Sequence, residues 1–141
     1  MRLYRFLRAL GFAPGDVDDM LLPDDRVARL EEKSRRVALR LRRCYAALVR
    51  RRRAIEELRC CIEQQQQRGA RLARQMAVCL AGGLAREAAE CSKALNQAQH
   101  ILARSRAALH RHEAAYQGHL AVVDRLRRRQ GRIREMLLQL C

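Results

Sequence analysis

The sequence predicts an all-α protein, a long antiparallel two-helix coiled-coil hairpin preceded by a short amphipathic helix. Three observations carry that reading. The chain of 141 residues has no Trp, two Phe and two Pro, and it is dominated by Ala, Leu, Arg, Gln and Glu, which lose little on entering a helix. Apolar residues recur at heptad spacing through most of its length. A single Gly82-Gly83 pair interrupts two proline-free stretches of nearly equal length.

The N-terminal element spans 1–13. On a wheel of about 100° per residue, Leu3, Phe6, Leu7 and Leu10 share one face and Arg2, Arg5 and Arg8 the opposite one. That division suits a helix lying in a headgroup interface, with the leucines and Phe6 inserted and the arginines toward phosphate. The same apolar face would also suit packing on the hairpin or on a partner subunit. A cleaved organellar transit peptide is a third reading, although such peptides are longer and Ser-rich.

An acidic linker follows at 14–25, holding Pro14, Gly15, Pro23 and five aspartates without a base. The hairpin is expected over 26–141, with its turn near 81–84. Stepping from Val27 alternately by three and four residues to Cys79 visits sixteen positions, twelve of them apolar. From Leu84 to Leu140 the steps of four and three visit seventeen positions, thirteen apolar. Seven or more heptads on each side of a Gly-Gly break describe a coiled coil folded back on itself, with helices of roughly 80 Å. Ser34, Arg51, Gln65, Ser105, His112, His119 and Gln130 set polar groups on this seam. A turn centred near Gly83 places Arg51 beside Tyr116; a centre one or two residues earlier places it beside His112.

Charge gives the strongest hint of a partner. The formal net charge is +15, carried by 28 Arg and by Lys33 and Lys93, and such an excess attracts nucleic-acid phosphates or anionic lipid. Arg50, Arg51, Arg52 and Arg53 form one run. With Arg35, Arg36, Arg40, Arg42 and Arg43 on the first helix and Arg125, Arg127, Arg128 and Arg129 on the second, it makes a basic band.

No catalytic constellation is present: the chain lacks a phosphate-binding glycine loop, HExxH, and any Cys–His pair whose spacing demands proximity. His110 and His112 point about 200° apart on a helix, which does not suit a shared metal. The expectation is therefore a binding or assembly protein, not an enzyme, with no cofactor and no small-molecule substrate. Six cysteines without CxxC spacing, no secretory signal and no apolar run of transmembrane length point to free thiols in a reducing cytosol.

The order of features resembles the phage-shock-protein A family, bacterial relatives of the ESCRT-III membrane-remodelling proteins. The local likeness is greatest at Leu80-Ala81-Gly82-Gly83-Leu84-Ala85-Arg86-Glu87-Ala88, similar to that family's turn, where a Gly-containing loop leads into a Leu-Ala-Arg-x-Ala helix start. Pro23-Asp24-Asp25 is similar to its linker. Where the family carries an acidic pair before the Leu-Ala-Arg run, this chain has Gly82 and Gly83. The resemblance implies peripheral attachment to anionic lipid on the inner face of the membrane from the cytoplasmic side, and homo-oligomers built from stacked hairpins. It assigns insertion to Leu3, Phe6, Leu7 and Leu10, and headgroup contact to Arg2, Arg5 and Arg8. The alternatives are a basic hairpin that binds RNA or DNA, which the shortage of stacking aromatics disfavours, and a purely structural coiled-coil scaffold.

Overall fold

The computed structural model describes Arg5, Leu10, Gly11 and residues 23–140. Two helices account for 23–140: α1, Pro23–Ala81, of 59 residues, and α2, Ala85–Leu140, of 56. Among the described residues there is no strand. Leu3, Phe6, Leu7, Arg2, Arg8, the linker up to Leu22 and Cys141 lie outside the described residues.

α1 starts at Pro23 with Asp24 and Asp25 in its first turn, so these residues open the helix and do not belong to a linker. Proline's fixed φ suits a first helical turn, where its missing N–H costs no intrahelical bond, and carboxylates there favour the positive end of the helix dipole. The chain divides into two compact units, Met1–Tyr45 with Ala121–Cys141, and Ala46–Leu120. In the first, Val37, Leu41, Val123, Leu126 and Ile133 are buried, each a seam position. Burying such a side chain contributes about 1.5–3 kcal/mol. A charged residue at Leu126 would forfeit that and strand a charge.

In the second unit the buried residues become smaller: Leu48 and Ile55, then Ala88, Ala98 and Ser105. Arg51 meets His112, Cys61 meets Ser105, and a Cβ at Gly69 would lie 3.7 Å from Leu95 Cδ1. Rising numbers on α1 oppose falling numbers on α2, which is antiparallel packing. Ser105 keeps its hydroxyl paired in the seam through Cys61 Sγ, 3.7 Å away. Arg51 takes the earlier of the two turn centres, beside His112.

The turn explains that choice. Leu84 N donates to Cys79 O at 2.8 Å and Gly83 N to Leu80 O at 3.2 Å, the paired bonds of a Schellman motif. Gly83 holds φ +72°, a left-handed conformation that an L side chain rarely adopts. The Leu84 carbonyl then accepts from Ala88 N at 3.0 Å, so Leu84 is the residue that opens α2. Lying outside both helices, its side chain is 50% exposed, the one seam position that turns outward.

Candidate anion-binding face

In the unit that joins Met1–Tyr45 to Ala121–Cys141, Arg40 from α1 and Arg125, Arg128, Arg129 and Arg132 from α2 converge on an open groove of about 360 Å³, with Val122 and Leu126 beside them. The α2 arginines share a face because they stand three, four and seven residues along the helix from Arg125. All five are exposed. Asp124 Oδ2 accepts from Arg128 Nη2 at 2.7 Å. Arg40, Arg125, Arg129 and Arg132 form no ion pair among the described residues. Uncompensated guanidinium groups converging on one groove repel one another unless a polyanion joins them.

A neighbouring lysine registers the same field. The Lys33 ammonium is held below its usual range, first by partial burial and then by the positive charges of Arg29 and Arg129. Burial disfavours any charge there, whereas the Arg29 and Arg129 charges disfavour another cation and favour an incoming anion.

Several other arginines are engaged within the chain. Glu32 accepts from Arg35 Nη2 at 3.0 Å and from Arg36 Nε at 3.1 Å. The Arg35 hydrogen bond, opposed by desolvation and assisted by Arg36, holds the Glu32 carboxyl below its usual value. Arg127 stacks its guanidinium 5.5 Å from the centre of the Tyr45 ring, a cation–π contact. Arg42 and Arg43 are exposed.

Of the Arg50–Arg53 run, Arg51 is half-buried against His112 Nδ1 at 3.0 Å, and Arg52 pairs with Glu56 at 3.3 Å. Arg50 and Arg53 are exposed. Four consecutive arginines thus point to different sides of the helix. Beside them, a groove of about 540 Å³ is lined by Arg52, Glu56, Arg59 and Glu113, and Arg59 pairs with Glu113 at 3.2 Å. That groove is charge-balanced, in contrast to the one at Arg40 and Arg125.

Arg132 was not part of the basic band expected from sequence. Its signal was helical spacing: it stands alone in a count of consecutive arginines, yet falls on the face of Arg125, Arg128 and Arg129. In the N-terminal element, Arg5 is helical and exposed, Leu10 is 60% exposed, and Gly11 has φ +88°, suited to a helix C-terminal cap. Gly82 and Gly83 stand at the turn between α1 and α2, as expected.

Among the described residues no group of His, Cys, Asp and Glu could hold a metal ion, and no helix is long and apolar enough to cross a membrane. No protein-family model, curated protein or solved structure matches the chain.

Proposed function

We propose that this chain is a peripheral membrane-binding, self-assembling coiled-coil protein of the phage-shock-protein A type, which holds anionic lipid headgroups along its arginine groove and anchors through residues 1–13. The observation that carries the reading is the convergence of Arg40, Arg125, Arg128, Arg129 and Arg132 with Asp124 as their one paired acid. Support for the anchor comes from the exposed Leu10 and Arg5 on the opposed faces that the sequence assigns to insertion and headgroup contact. Exposed Leu39, Val49, Leu120 and Leu138 supply apolar surface for contacts between copies.

Lipid and nucleic acid share phosphate, so the groove also supports RNA or DNA binding as a second reading. The Leu7→Glu variant separates them. It lowers the net charge only from +15 to +14, but removes an apolar insertion worth about 1.5–3 kcal/mol against about 1 kcal/mol for one surface charge. Loss of co-sedimentation with anionic liposomes is the expected result. Full retention would overturn the anchor and favour the nucleic-acid reading.

A further inference from the structure

We infer that the hairpin tip around Val78, Leu80 and Leu84 is a second bilayer contact, inserting into the headgroup layer of an anionic membrane independently of residues 1–13. The inference rests on the membrane reading above and adds a site to it. From Gln75 through Ala85 the eleven residues carry no acid and no base. Within them Val78 is 71% exposed, Leu80 62% and Leu84 50%, so three large apolar side chains surround one turn.

Backbone polarity is the usual obstacle to burying a turn, because unbonded N–H groups are costly in an apolar medium. Here the N–H groups of Gly82, Gly83 and Leu84 already donate to the carbonyls of Val78, Leu80 and Cys79. Cys79, the one ionisable side chain in the stretch, is a thiol pushed toward its neutral form, first by burial and then by Cys91 and Glu87. The tip thus presents apolar groups without charge and with the Gly82, Gly83 and Leu84 donors satisfied. The N–H groups that open α2 at Ala85–Glu87 have no intrahelical acceptor and stay at headgroup level, where phosphate can accept from them.

Charge identifies the occupant. Flanking the tip the chain carries Arg68, Arg71 and Arg74 on α1 and Arg86 and Lys93 on α2, against Glu87 and Glu90. The collar thus keeps an excess of positive charge although Arg86 Nε lies 3.9 Å from Glu90 Oε1. An apolar tip collared by arginines suits an anionic headgroup layer, in which the leucines enter and the guanidinium groups stay at phosphate level. Two such tips meeting each other would bring the same collars together and repel.

The chain contains no Trp, so Leu80→Trp and Leu10→Trp in the full-length protein each provide one indole reporter. With vesicles of equal parts phosphatidylglycerol and phosphatidylcholine, Leu80→Trp emission should shift to the blue and be quenched by lipids brominated near the headgroup. Val78→Glu and Leu80→Glu should each weaken vesicle partitioning about tenfold or more while circular dichroism retains the helix content. Quenching at Leu10→Trp but not at Leu80→Trp would overturn the tip contact and leave the membrane reading standing. Absence of quenching at both would overturn both. Quenching at Leu80→Trp alone would uphold the tip and remove the role of residues 1–13. Blue emission from Leu80→Trp before vesicles are added, and unaltered by them, would mean that a second copy covers the tip, and would overturn the proposal.

Discussion

Arg51 donates from Nη1 to His112 Nδ1 across 3.0 Å, in a half-buried position where a coiled coil ordinarily sets two apolar side chains. A guanidinium has no acceptor, so the imidazole must offer a bare Nδ1 and carry its proton on Nε2. His112→Leu would leave the Arg51 guanidinium without its seam partner, and Arg51→Leu would leave Nδ1 unpaired, each costing about 1–3 kcal/mol. Replacing both by Leu should be neutral or stabilising, since it removes the polar pair together with its desolvation penalty. Urea unfolding of the four proteins checks this; additive losses in the double variant would show that the two side chains do not depend on each other.

The groove arginines should differ in kind from the paired ones. With a short DNA duplex as a generic polyanion, Arg125→Gln and Arg129→Gln should each reduce the slope of log affinity against log salt by about 1. Arg52→Gln, whose guanidinium is already engaged by Glu56 at 3.3 Å, should leave the slope nearly unchanged. Equal effects from all three would mean that binding follows net charge and not the groove.

Two glycines should respond in opposite directions to alanine. Gly83→Ala forces a side chain into φ +72° and should cost about 1–2 kcal/mol. Gly131 lies within α2 and a Cβ built there meets open space, so Gly131→Ala should stabilise by up to about 1 kcal/mol through helix propensity. Thermal unfolding by circular dichroism reads both shifts.

Thiol reactivity should follow the seam. Cys60 is exposed and should alkylate with iodoacetamide before Cys79, whose thiol is pushed up by burial first and by Cys91 and Glu87 next. The sign for stability follows from a raised folded value: the contribution from protonated Cys79 is present below the ordinary thiol range and is lost as pH rises through the folded value. Mass spectrometry of a native alkylation time course tests the order; Cys79 reacting first would contradict it.

The seam was legible in the sequence because burial in a coiled coil is periodic. All sixteen α1 positions counted from Val27 are buried or half-buried, and on the second helix Leu84 alone is exposed. Leu84 escaped the pattern because heptad counting assumes helical backbone, whereas the Schellman turn takes that residue out of it. Sequence leaves the partner of Arg51 open for a related reason: register is set by the geometry of three turn residues, and sliding one helix by a turn only exchanges a and d positions, so seam still meets seam. The candidate site was less legible. Arginine runs mark where charge is dense in the chain, but the groove depends on which guanidinium groups find acids, and that is decided by neighbours such as Glu56, Glu113 and Asp124 on particular faces.

The three-residue Schellman turn also sets the order in which the chain can assemble. Contacts near it join residues close in sequence, as at Gly69 and Leu95, whereas Arg51 and His112 are separated by 61 positions. Closing the longer loop without the shorter one costs roughly 0.8 kcal/mol more in chain entropy, so pairing should nucleate beside Gly83 and propagate outward like a zipper. Destabilising substitutions at Ala88 or Ala98 would then slow folding, while those at Leu48 would chiefly accelerate unfolding.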